Sequence, residues 1–243
     1  MSSRFSMVQP DESAGGRIEG SINGNKNKFS YLVTASYEEN GVQRDAEGDI
    51  PGLQYGLSDA VTQNYFTKLG YQFDENKALQ LSYNFYSSEQ KTDLGDVSGN
   101  INEGEKTYAI HVPLEQQKKG EPQGQDGNTN LMVKYTDYEI FANTQMTLDF
   151  YQQEIKNTFF YSSAFANPSE GYTGGQSVIK SKKMGGRATF NTQIEFDKIE
   201  ATFIYGIDSL NDITSQPLVD GRIWVPEMDM KNFAGFLQTK WVI

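Results

Sequence analysis

The sequence predicts an all-β fold: an antiparallel up-and-down transmembrane β-barrel, represented by a curved open sheet of about ten strands. Three observations predict it. Apolar and polar residues alternate with a period of two over many segments, which is the signature of strands with one apolar face. The connections between these segments are alternately short and long, so one end of the sheet is trimmed and the other elaborated, as in outer-membrane barrels. The strands are long: 27–39 and 182–196 each offer a dozen or more strand residues, whereas soluble strands have a mode of about five or six and a tilted membrane strand needs about 9–11.

The elements follow in order. Residues 3–8 and 16–22 read as the first strands. Phe29, Tyr31, Val33, Ala35 and Tyr37 then share one face of a third. Weaker alternation covers 65–73. In Leu79-Gln80-Leu81-Ser82-Tyr83-Asn84-Phe85 every odd position is apolar or aromatic and every even one polar. Segments 131–138 and 144–151 come next. In 184–196, Met184, Gly186, Ala188, Phe190, Ile194 and Phe196 share one face, and Arg187, Thr189, Asn191, Gln193 and Glu195 the other. Ile199, Ala201, Phe203, Tyr205 and Ile207 form a further apolar face, and 233–243 closes the series. Charge at mid-bilayer is costly, so the faces with Leu81, Phe85, Ala188, Phe190 and Tyr205 are expected to be convex and lipid-facing. Those with Gln80, Asn84, Arg187 and Glu195 are expected to be concave. Short turns are expected near 23–27, 74–77, 139–143 and 197–198, where Asn, Asp and Gly supply the backbone angles of tight hairpins. Long loops are expected at about 40–62, 88–128, 156–180 and 209–231, with 106–112 as a short extended piece inside the second.

Composition narrows the function. The chain has 243 residues, no cysteine and one histidine. That leaves no thiolate chemistry and almost nothing for a His-based metal cluster. The net charge of −11, without a basic motif, argues against nucleic acid as a partner. Mean hydropathy is negative, and no run approaches the ~20 apolar residues of a spanning helix. A barrel has the same polar average, because lumen-facing residues dilute lipid-facing ones. Met1-Ser2-Ser3-Arg4 leads into no apolar core of a secretion signal. His111 has no recognisable serine motif to serve, so no catalytic constellation is expected, and no cofactor. Asp45, Glu47 and Asp49 are hard oxygen donors, but they lack the ligand count and spacing of a calcium loop. A solvated turn is the expectation there.

Several phrases resemble one family. They are Ser30-Tyr31-Leu32-Val33 with Ala35-Ser36-Tyr37-Glu38, Asp45-Ala46-Glu47-Gly48-Asp49-Ile50-Pro51, Tyr55-Gly56-Leu57-Ser58-Asp59 and Lys68-Leu69-Gly70-Tyr71. Leu79-Gln80-Leu81-Ser82-Tyr83-Asn84-Phe85-Tyr86, Lys118-Lys119-Gly120-Glu121-Pro122 and Trp224-Val225-Pro226-Glu227-Met228-Asp229 continue the series. In this order they look like the barrel of TonB-dependent outer-membrane receptors, in particular the siderophore-receptor branch. The resemblance implies a barrel of about twenty-two strands around an N-terminal plug, in the outer membrane of a Gram-negative bacterium. It also implies import of a ferric chelate or another scarce nutrient, driven by the inner-membrane TonB complex. Residues 1–243 would then be an internal part of the barrel domain, under half of it, with no counterpart of the plug or of the segment that engages TonB. A passive porin or a structural or adhesive barrel is the alternative. Ligand contacts are expected from loop aromatics, namely Tyr55, Tyr108, Phe160, Tyr161, Tyr172 and Trp224. Arg44 and Arg222 are expected to meet the negative charge of a chelate. Tyr and Trp also form the interface girdle of such barrels.

Overall fold

Alternation with few helix signals produces one dominant sheet. The computed structural model describes residues 1–4, 9–53, 58–90, 93–113, 120–197 and 199–242. Ten strands pair in a single antiparallel, open sheet. In sheet order they are β1 (Ser2–Arg4), β2 (Gly15–Lys26), β3 (Phe29–Asn40), β5 (Ala60–Gln72), β6 (Lys77–Gln90), β9 (Gly124–Phe141), β10 (Thr144–Thr158), β11 (Val178–Phe196), β12 (Ile199–Pro217) and β13 (Ile223–Val242). The remaining strands, β4 (Ile50–Pro51), β7 (Leu94–Val97) and β8 (Tyr108–His111), form a second, three-stranded sheet in the order β4-β8-β7. One short helix, α1 (Pro10–Ser13), lies between β1 and β2.

The short turns work as their residues require. Asn27, Asn143 and Asp197 adopt positive φ of 54°, 58° and 49°, a region that Asn and Asp enter more readily than other non-glycine residues. In the turn between β5 and β6, the Asn76 backbone N–H donates to the Asp74 carboxylate at 2.9 Å, and the Phe73 N–H donates to the Lys77 carbonyl at 2.9 Å. These four turns lie at one end. The connections 41–59, 91–123, 159–177 and 218–222 lie at the other, as does the α1 segment.

Register sorts the side chains. One row runs Tyr31, Leu69, Leu81, Val133, Phe150, Gly186, Ser209 and Phe233, each directly opposite the next. The adjacent row on the opposite face runs Ser30, Gly70, Gln80, Lys134, Asp149, Arg187, Asp208 and Ala234. Its four charges alternate in sign, which makes directly opposed pairs attractive. Arg187 bonds Asp208 at 2.9 Å, Lys134 approaches Asp149 at 3.9 Å, and Lys183 in a further row meets Asp212 at 3.1 Å. Among the described residues no second layer covers the apolar face, and Leu148 and Phe150 remain 40% exposed and Ile207 50%. The hydrophobic cluster of Val42, Ile50, Leu94 and Ala109, with Leu53 against it, sits in the small sheet instead.

The structure corrects several expected boundaries. Residues 209–231 are not a long loop. β12 continues to Pro217 and β13 begins at Ile223, leaving only 218–222 as the connection. Polar residues such as Asn211 and Asp212 stand on both faces of β12 there while its pairing with β13 continues, so polarity does not mark a loop. For the same reason β9, β10 and β11 extend past the expected strands, and the loop expected at 156–180 shrinks to 159–177. The segment 88–128 is not solvated coil throughout, because it supplies two strands of the small sheet. Its expected extended piece at 106–112 is realised as β8, paired with β4 and β7. The strand expected at 3–8 is observed as Ser2–Arg4, and its remainder lies outside the described residues.

Candidate ligand-binding end of the sheet

The long connections form two assemblies at one end. The first is built on the small sheet. Tyr108 pairs with Pro51 on one side and Val97 on the other and is half-buried. Arg44 donates through Nη1 to the Gly48 carbonyl at 2.9 Å and through Nη2 to Glu12 at 2.6 Å. His111 Nδ1 lies 2.8 Å from Asp93, and its Nε2 lies 3.6 Å from the same Glu12. The single imidazole therefore lies between the α1 segment and the small sheet. Tyr55 lies outside the described residues.

Asp45, Glu47 and Asp49 form a turn around one ammonium group. Asp45 Oδ1 accepts the backbone N–H groups of Glu47 and Asp49, each at 3.0 Å. Lys106 Nζ donates to Asp45 at 3.0 Å, and it also pairs with Asp49 at 2.6 Å and with Glu47. A lysine ammonium carries three N–H donors, and here each meets one carboxylate. This satisfies the cluster within the chain, in agreement with the turn expected from sequence.

The Lys106 ammonium holds the Asp45 carboxyl below the usual range, and the Arg44 guanidinium does the same for Glu12. The three carboxylates in turn raise Lys106 above the usual lysine range. The pH dependence follows in sign. Depressed carboxylates stabilise the loop above their unfolded pKa and lose that contribution as pH falls through the folded values. The raised lysine contributes below its unfolded value and loses it only in strong alkali. The loop 41–53 is therefore expected to become protease-sensitive below about pH 4, while the ten-stranded sheet stays protected. Lys106→Met should give the same sensitivity at neutral pH. Equal protection of wild type and variant across pH would contradict the assignment.

The second assembly joins 159–177 to 218–222. Arg222 is its centre. Nη1 donates to the Phe165 carbonyl at 2.7 Å, and Nη2 to the Gly174 carbonyl at 2.6 Å. Asp220 takes Nε and Nη2, the latter at 2.7 Å, which engages four of the five N–H groups an arginine offers. The guanidinium carbon lies 3.9 Å from the centre of the Tyr172 ring, a cation–π geometry. Asp220 is held below the usual carboxylate range by Arg222. Phe165 meets Trp224 edge-to-face at 5.0 Å, and the Tyr161 hydroxyl lies 3.1 Å from that of Thr173. Phe160 is half-buried beside Phe159. The Phe159 carbonyl accepts from Gln176, whose amide also bonds both backbone groups of Glu121.

The structure thus gathers Tyr161, Tyr172, Arg222 and Trp224 into one aromatic and cationic surface. It places Arg44 and Tyr108 in the other assembly. Both arginines act as ties within the loops, with their charge met by Glu12 and Asp220. Sequence reasoning missed Phe165, which lies among small residues in Ser162-Ser163-Ala164-Phe165 and 59 positions from its partner Trp224, with no local signal.

No protein-family model matches the chain. Two solved structures share its architecture. One is a variant of the ferric enterobactin receptor PfeA from Pseudomonas aeruginosa, in complex with enterobactin. It has a TM-score of 0.65 and 13% identity over 98% of this chain and 36% of that one. The other is the copper transporter OprC, with a TM-score of 0.56 and 12% identity over 93% of this chain and 33% of that one. The chain spans about a third of the length of each. At such identities the likeness shows the fold alone: an all-β, open antiparallel sheet of ten strands that matches part of each of these two proteins.

Proposed function

We propose that the chain forms part of the wall and mouth of a TonB-dependent importer in the outer membrane of a Gram-negative bacterium. Its cargo would be a scarce nutrient, with a ferric siderophore first in line, and its role transport rather than catalysis. The observation that carries this reading is the pairing of an uncovered apolar face with a charged face, beneath long loops at one end only. The apolar face would meet outer-membrane lipid and the charged face the lumen. β11, β12 and β13 have 19, 19 and 20 residues, while about 9–11 suffice to cross, so the excess carries the loops above the bilayer. Residues 1–243 would be one portion of the barrel domain, with the plug and the segment that contacts the inner-membrane TonB complex elsewhere in the full protein. A chelate would be met by Trp224, Tyr172, Tyr161 and the neighbouring loop aromatics. Iron would arrive already chelated, so the wall would need no iron ligands of its own.

Uptake by cells that express the full-length protein tests the reading. Ferric catecholates and hydroxamates are offered with and without inner-membrane energisation. Energised uptake of at least one ferric chelate is expected. Flux that ignores energisation would favour a passive porin, and no flux at all a structural or adhesive barrel. Energised uptake of a glycan or cobalamin, with every ferric chelate refused, would overturn the siderophore assignment alone.

A further inference from the structure

Gln90 has the least satisfied side chain in the described structure. It is 1% exposed and one of the two largest fully buried side chains. Neither its Oε1 nor its Nε2 has a hydrogen-bond partner. Buried amides almost always find partners, because an unmet polar group forfeits its hydration without return. Two further orphaned oxygens lie close by in the topology. Asn40 Oδ1 has no partner, and Asn40 and Gln90 flank Ala60 in one cross-strand row. With one strand between them, their backbones are about 10 Å apart. Gln123 Oε1 is also unpartnered, and the Gln123 carbonyl accepts the Gln90 backbone N–H at 2.8 Å.

The row identifies where these groups sit. By strand parity, Asn40 and Gln90 lie on the charged face, at its loop end, and Ala60 between them is 2% exposed. A lone sheet cannot bury that face by itself, so the loop assembly covers it here. The connection is traceable. Gln123 Nε2 donates to the Leu53 carbonyl at 2.9 Å, and the Leu53 N–H donates to Asp96 at 2.8 Å, which leads into the small sheet. The unpartnered side-chain groups of Gln90, Asn40 and Gln123 at this seam are one amide nitrogen and three amide oxygens, none of them charged.

We propose that Gln90, Asn40 and Gln123 form a binding site for ordered water that joins the small-sheet assembly to the wall. The donor set selects the occupant. It calls for a small neutral molecule that donates to amide oxygens and accepts from an amide N–H, and water does both. Among these groups a cation would find no carboxylate to offset its charge, and an anion would face three carbonyl oxygens. The site makes this seam a hydrated joint, where the loop assembly is held over the lumen by exchangeable bonds as well as by apolar packing.

The test uses the full-length protein in two ways. A crystal structure that resolves ordered solvent should show water within hydrogen-bond distance of the Gln90 carboxamide and of Asn40 or Gln123. A direct bond from Gln90 to another protein group, or a dry contact, would overturn the site. Gln90→Met keeps the length and shape of the side chain but removes its donors and acceptors. Hydrogen exchange at Leu53 and across 93–113 should then rise roughly tenfold, with the wall strands unchanged. Unchanged or slower exchange would mean that the site is dry. If Gln90→Met fails to assemble, Asn40→Leu with the same exchange measurement replaces it.

Discussion

Full-length protein carrying Phe150→Arg is expected to fail assembly in the outer membrane, while Asn130→Arg assembles near the wild-type level. The two residues lie one strand apart and on opposite faces. Phe150 stands in the apolar row between Val133 and Gly186, and Asn130 stands between Asn84 and Gln153 on the charged face. An arginine at the lipid-facing midplane costs about 2–4 kcal/mol, a large share of a typical folding free energy of about 5–15 kcal/mol. On the lumen side the same side chain reaches water or an acidic neighbour. Surface level and heat-modifiable mobility of the assembled barrel report the outcome. Equal assembly of the two variants, or failure of Asn130→Arg alone, would reverse the assignment of faces and remove the main support for a membrane location.

The wall was legible in the sequence because a sheet with two different faces imposes a strict period. Leu79 to Phe85 and Met184 to Phe196 show it directly, and the register places both where the alternation predicts. The turns were legible through Asn27, Asn143 and Asp197, whose side chains suit the positive φ observed there. What was not legible lies toward the loop end of the sheet. There polar residues stand on both faces, the period loses its meaning, and strand ends such as 209–217 and 223–231 read as loop. The small sheet was hidden for a different reason. Its strands are two to four residues long and come from two different connections, too short for any window of sequence to show an alternating pattern. The same holds for the site. Arg222 and Tyr172 were each visible as candidates, but that the guanidinium packs on the ring and ties down Phe165 and Gly174 depends on contacts 48 to 57 residues apart.

The two arginines expected to meet a ligand's charge are held by carboxylates and carbonyls, so in the proposed importer the weight of recognition falls on the aromatic rings. Arg222 in particular orders the surface on which Trp224 stands, so the two residues should fail in different ways. Trp224→Ala is expected to weaken ferric-chelate binding about 30-fold, the ~2 kcal/mol typical of a central aromatic contact, with surface level unchanged. Trp224 is 58% exposed with its edge-to-face partner Phe165 beside it, so a planar arm of a chelate, such as a catecholate ring, has an open face to stack on. Trp224→Phe should recover most of the affinity, because a ring remains for both Phe165 and the ligand. Arg222→Ala is expected to act indirectly. Removing it leaves the carbonyls of Phe165 and Gly174 without their donor and the Asp220 carboxylate with only the backbone N–H of residue 222, so proteolysis within 159–177 should accelerate along with the loss of binding. If Trp224→Ala instead lowers the surface level of assembled protein, or leaves affinity intact, the tryptophan serves the loop's packing and the chelate binds elsewhere at the mouth.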